Sequence, residues 1–173
     1  MRFLLDGMLG RLTRWLRMIG YDAYYPKNSP DADLLHRAKE ESLILLTCDV
    51  QLYRAAVARD VESFLVQGTN ESERLANLAA RFNLTLRIDT NRSRCPVCGS
   101  HIKPVTKGEI ASRIPPATFK LYQSFWICTE ASCAKVYWQG SHWERIEETL
   151  ENARMILENR QHEDREKSPI PIS

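Results

Sequence analysis

Long apolar runs are missing from this chain. The first, Phe3 to Leu5, stops at Asp6, far short of the roughly 20 apolar residues that cross a bilayer and of a signal-peptide core. The expectation is a cytoplasmic chain with no membrane partner. Internal repeats and extended low-complexity tracts are also absent, which excludes a solenoid. Charge of one sign is scarce: 24 Lys and Arg against 22 Asp and Glu leave +2. Asp6 has no second Asp two positions on, where Met8 stands, and that argues against an aspartate phosphotransfer site. The cysteines are few and odd in number. Of 5, Cys48 stands alone while Cys95, Cys98, Cys128 and Cys133 fall within 39 positions, a clustering that favours a metal site over a disulfide framework.

What is present suffices for a core. The 173 residues are 43% hydrophobic and 27% charged, close to a globular average, with room for one domain and an appendage or for two small domains. The near-neutral total hides an asymmetry. Residues 1–90 carry 12 basic against 12 acidic side chains, residues 91–147 carry 8 against 4, and residues 148–173 carry 4 against 6. The basic middle block permits a polyanion partner.

Up to about residue 90, short apolar runs alternate with helical periodicity. Arg2–Leu5 reads as a buried strand, and Leu9, Leu12, Leu16 and Ile19 place a helix over residues 8–19 that Gly20 closes. A strand at Ala23–Tyr25 and a helix opening at Ser29-Pro30-Asp31 follow, then a strand at Leu43–Leu46. A helix from Leu52 to Ala58, a strand near Phe64–Val66 and a helix from Glu71 to Phe82 complete the series. This alternation predicts an open α/β sheet with parallel strands and helices on both faces. Such sheets carry their sites at the strand carboxyl ends, where Asp6 and Asp49 are both predicted.

Past Asn91 the character changes. Cys95-Pro-Val-Cys98-Gly99 is a knuckle and Cys128 with Cys133 a second pair. Together they can build a closed tetrahedral thiolate site, structural and not catalytic, with zinc as the expected ion. His101 and His142 remain as substitutes for one thiolate. Phe119, Tyr122, Phe125, Trp126, Tyr137, Trp138 and Trp143 crowd around the second pair. Packing of a small core is favoured over stacking on unpaired bases. Ile146, Leu150, Ala153 and Leu157 mark one helix from Glu144 to Arg160, and the tail from Gln161 is expected to be disordered.

The acidic candidates are Asp6, Asp49 and one of Asp31 and Asp33. Converging carboxylates repel, and a hard divalent cation, magnesium or manganese, relieves them and can activate water at a phosphate. The same residues also serve as turn formers and helix starters. Arg11, Arg14 and Arg17 recur along the first helix, where Arg14 and Arg17 could hold phosphates or form a solvated face. Lone Cys48 reads as a small buried side chain.

The segment from Phe3 to Asp22, with Asp31, Leu34-Leu35 and Leu45-Leu46-Thr47-Cys-Asp49, resembles the PIN-like ribonuclease domain named from the C-terminal part of the Mut-seven exonuclease. So do Cys95-Pro-Val-Cys98 and the closing Cys133-Ala-Lys-Val-Tyr137-Trp138-Gln-Gly140-Ser-His142-Trp143. The resemblance runs from about residue 2 to 150. It implies an α/β/α sandwich over residues 1–90, a zinc ribbon over 91–147, and a C-terminal helix and tail over 148–173. It also implies RNA cleavage with magnesium or manganese on Asp6, Asp31 and Asp49, with Thr47 as the hydroxyl residue of a Thr-x-Asp motif beside the substrate; single-stranded RNA is the expected partner. Position 48 departs from the family in being Cys instead of a basic residue. A fourth acid is left open among Asp60, Glu62 and Glu71. The rival class is a protein that grips RNA without cutting it, although a pure binder has no use for carboxylates that repel phosphate.

Overall fold

The computed structural model describes residues 1–167. Its first half alternates β1 (Arg2–Leu5), α1 (Gly10–Met18), β2 (Asp22–Tyr24), α2 (Asp31–Glu40), β3 (Ile44–Thr47), α3 (Val50–Val57), β4 (Ser63–Leu65) and α4 (Glu71–Phe82). The strands form one parallel sheet in the order β2-β1-β3-β4.

Side chains of a strand alternate between faces, and here both faces are covered. Phe3 and Leu5 of β1, with Ile44 and Leu46 of β3, enter one core with Leu12 and Leu16 of α1 and Leu75 and Leu78 of α4. Leu4 and Leu45 enter the opposite core with Leu34 and Leu35 of α2 and Leu52 and Ala56 of α3. Two-sided burial is why the strands read as unbroken apolar runs. From β1 the chain leaves to one side, towards β2; from β3 it leaves to the other, towards β4. Adjacent strands with diverging connections open a crevice at their carboxyl ends, and Asp6 and Asp49 follow those two ends.

Two helices start away from their sequence-predicted ends. Asp6 accepts from the Met8 amide and its carbonyl from the Leu9 amide, so the turn holds these residues out of α1 until Gly10. Asp49 caps α3 and starts it two residues early, at Val50.

The second half contains β5 (Ile102–Val105), α5 (Lys107–Ile110), α6 (Pro116–Leu121), β6 (Phe125–Cys128), β7 (Val136–Tyr137) and α7 (Trp143–Lys167). Its three strands form an antiparallel sheet in the order β5-β6-β7. A small separate core of Ile110, Ile114 and Phe125 takes in Phe119, Tyr122 and Trp138, so four of the clustered aromatics pack. The last helix returns to the first sheet, where Leu150 and Ala153 are fully buried in the core beside α4. It also passes Gln161, the expected start of the tail, because residues 161–167 are mostly strong helix formers. The rest of that tail, residues 168–173, lies outside the described residues. Among those described, no helix is long and apolar enough to cross a membrane.

Candidate active site and metal centre

At the carboxyl edge of the parallel sheet, Asp6 is buried. Its Oδ1 accepts from the Met8 amide at 2.8 Å. Its Oδ2 accepts from the Thr47 hydroxyl and from the Cys48 amide at 3.3 Å. The Thr47 oxygen in turn accepts from the Asp49 amide at 2.8 Å. One buried hydroxyl therefore joins the two strand-end aspartates. Thr47 has no exposed surface, so the residue expected beside the substrate holds the two acids instead. Asp49 is exposed, with Oδ1 accepting from the Gln51 and Leu52 amides at 2.6 and 3.2 Å and Oδ2 left open.

Asp31 and Asp33 sit in the first turn of α2, exposed, and among the described residues their carboxylates make no hydrogen bond or ion pair. Because α2 follows β2, they belong to the same edge. The structure does not draw Asp6, Asp31 and Asp49 into one ligand group; among the described residues that is true of four cysteines alone. Helices α1 to α4 all begin at this edge, and their positive ends offset the mutual repulsion of its carboxylates.

Glu71, the first residue of α4, reaches the same edge. Its Oε1 pairs with Arg74 Nη1 at 3.3 Å, while its Oε2 is buried with no partner among the described residues. Burial raises the Cys48 thiol above its ordinary range; Arg74 opposes this, and Asp6 and Glu71 add to it. Cys48 is half-buried, less covered than the small buried side chain expected at that position. Asp60 and Glu62 instead lie before β4, at the opposite edge, where the Glu62 carbonyl accepts from the Leu45 amide at 2.9 Å. The strand-end rule that located Asp6 and Asp49 also points to Glu71.

The three arginines of α1 part company. Arg11 and Arg14 are exposed, but Arg17 is buried. Its Nε donates to the Ala23 carbonyl at 2.9 Å, and its Nη1 donates to the carbonyls of Pro96 and Val97 at 3.2 and 2.9 Å. Expected beside phosphate, Arg17 instead ties α1 and β2 to the first cysteine knuckle. Burial lowers its pKa, while the Cys98 and Cys95 thiolates pull the other way.

The sulfurs of Cys95, Cys98, Cys128 and Cys133 all lie within 4.8 Å of one another. Cys98 is 3.4 Å from Cys128 and Cys95 is 3.7 Å from Cys133. A tetrahedron of Zn–S bonds of about 2.3 Å has edges of about 3.8 Å, so the donor set fits a closed four-coordinate ion. His101 and His142 stand outside it. Burial opposes ionisation of Cys98, yet hydrogen bonds from the Ser100 backbone and hydroxyl and from Cys128 bring its thiol down to about 6. Burial and the neighbouring Cys95 sulfur raise the Tyr137 phenol. It therefore stays protonated and can donate to Cys95 Sγ at 2.9 Å. At Gly99, φ is +86° and a Cβ would come within 3.1 Å of the Arg17 guanidinium, so only glycine lets the knuckle close on α1.

A doubly wound α/β layer with acidic strand ends, joined to a four-cysteine metal-binding module, is the class of protein that fold and site define. Comparison with known families matches residues 1–150 to the Mut7-C RNAse domain. The chain belongs to that family, which suggests a nuclease acting on RNA. No curated protein and no solved structure matches it.

Proposed function

We propose that this protein is a metal-dependent ribonuclease that hydrolyses phosphodiester bonds of single-stranded RNA at the carboxyl edge of β1 and β3. The observation that carries the reading is the link from the Asp6 carboxylate through the Thr47 hydroxyl to the Asp49 backbone amide, at the crevice between diverging strands. The acids of this edge are free to take a hard cation: among the described residues Asp49 Oδ2 is open, Glu71 Oε2 is buried and unpartnered, and no cationic side chain pairs with Asp6. Asp6, Asp31 and Asp49, with Glu71 as the fourth acid, would hold magnesium or manganese. Such an ion supplies a bound water of lowered pKa and neutralises charge at the leaving oxygen.

The chain's own residues do the rest. Thr47 and the Met8 and Cys48 amides orient Asp6, the α3 amides orient Asp49, and the converging helix N-termini draw the phosphate in. Residues 1–90 together with the part of α7 beyond residue 147 form the catalytic unit, and residues 91–147 form a ribbon whose cysteines hold structural zinc.

Asp49→Asn tests the reading, because Asn caps α3 as well as Asp does and removes one charge. RNA cleavage by the full chain in magnesium or manganese should fall about 100-fold or more, roughly 3 kcal/mol in the barrier, while RNA binding persists. Undiminished cleavage by this variant assigns the activity elsewhere. Binding without cleavage by the wild type under either metal makes the protein an RNA binder.

A further inference from the structure

Alongside α1 runs a cleft of about 450 Å³ that the catalytic reading does not use. It begins at Gly10, at the acidic edge, and follows Arg11 and Arg14 to the knuckle residues Pro96 and Val97, with Lys27 on its other flank. From Arg11 to Arg17 a helix rises about 9 Å, so the cleft leads away from the aspartates towards the cysteines. Arg11, Arg14 and Lys27 are exposed and have no ion-pair partner among the described residues. Arg37, Arg74, Arg94 and Arg154, by contrast, each pair with a carboxylate. Unneutralised cations along one groove are an electrostatic footprint for a polyanion.

We propose that this groove seats one strand of RNA leading to the acidic edge, that Val97 of the metal-holding knuckle is its far wall, and that Arg17 is the positioning residue of that wall. The identity of the polyanion rests on the ribonuclease reading. Arg17 reaches the carbonyls of both residues between Cys95 and Cys98 and, through Ala23, the middle of β2. Around it, the Arg94 amide donates to the Arg17 carbonyl at 2.8 Å, and Arg94 Nη1 lies 3.5 Å from Asp22. The knuckle thus keeps its place against α1 through Arg17, whose charge is buried and spent on carbonyls.

The test measures affinity of the full-length Asp49→Asn protein for a short single-stranded RNA across a salt series. Arg14→Ala and Lys27→Ala should each weaken binding and lower the slope of log K against log salt by about 0.7, one phosphate contact apiece. Val97→Glu, at an exposed position, should weaken binding about tenfold or more by setting a carboxylate against the strand. Arg17→Lys keeps the charge and loses the planar fork; affinity should fall with the salt slope unchanged and zinc content intact. Lys39→Ala, at the opposite edge of the sheet, should change nothing. Unchanged slopes for Arg14→Ala and Lys27→Ala overturn the groove, and wild-type affinity of Val97→Glu overturns the knuckle wall. If Arg17→Lys does not fold, Val97→Glu still decides. Equal affinity for duplex RNA sinks the single-strand assignment. The nuclease reading fails separately, if Asp49→Asn cleaves as well as wild type.

Discussion

Thr47 shows how little surface a site needs at its centre. Its hydroxyl donates to Asp6 and accepts from the Asp49 amide. Thr47→Val keeps the shape and leaves both groups short of a partner, at a cost of about 1–3 kcal/mol. That should appear as a lower urea midpoint with an unchanged slope, and Thr47→Ser should recover most of it; a Val variant as stable as wild type would show that the hydroxyl contributes nothing. For Glu71→Gln, the manganese concentration giving half-maximal cleavage should rise about tenfold, and an unchanged requirement would remove Glu71 from the site. Asp6 and Asp49 were legible in the sequence because each ends a run of buried strand residues. Glu71 was legible only as one of three candidates, because Asp60, Glu62 and Glu71 all flank β4 and none falls in a motif. The role of Arg17 was out of reach for another reason. Its carbonyl partners in the knuckle lie 79 and 80 positions away, and helical spacing reports only on neighbours within a turn or two.

At the scale of elements, the alternating first half was legible because each strand and helix buries a continuous stripe. Two starts shifted because side chains compete for backbone amides: Asp6 delays α1 and Asp49 advances α3. The short helices α5 and α6 escaped notice, although Thr106 with Glu109 forms a capping box and Pro116 opens α6. Elements of 4 and 6 residues are too brief to show a period. The periodicity of α7 was visible but its partner was not, since a helix does not announce which surface it covers. Leu150 is fully buried against the core of the parallel sheet. Ser72 Oγ donates to the Thr149 carbonyl at 3.0 Å, and Arg154 Nη1 to the Leu86 carbonyl at 2.6 Å. Leu150→Ala should therefore destabilise the catalytic unit by about 2–5 kcal/mol, seen as lost hydrogen-exchange protection in β1 and β3. A loss confined to α7 would mean that the helix frays without support from the sheet.

For the whole molecule, the question is whether the two halves stand or fall together. The antiparallel sheet has its own small core of three buried residues, too little to fold unaided, and an ion held by its four cysteines would contribute most of its stability. Structural zinc supplies a binding free energy on the order of 10 kcal/mol. The parallel sheet has two larger cores, one of them closed by α7 and neither containing any of the four clustered cysteines. Cys95→Ser combined with Cys98→Ser, or zinc chelation, should then unfold residues 95–137 and spare the parallel sheet. Hydrogen exchange should show protection lost in β5 to β7 and kept in β1 and β3. Elemental analysis of protein purified without chelator should find one zinc per chain, absent from the double variant. Because Arg17 docks on the knuckle, its carbonyl partners become mobile with the ion gone; RNA affinity should fall while Asp6, Thr47 and Asp49 keep their contacts. In kinetics this is a raised KM with kcat nearly unchanged, provided magnesium or manganese is resupplied. A single cooperative loss of protection across both sheets would instead make the cysteine centre part of the main core's stability, and zinc-free wild type with both sheets protected would leave the four cysteines without their assigned ion.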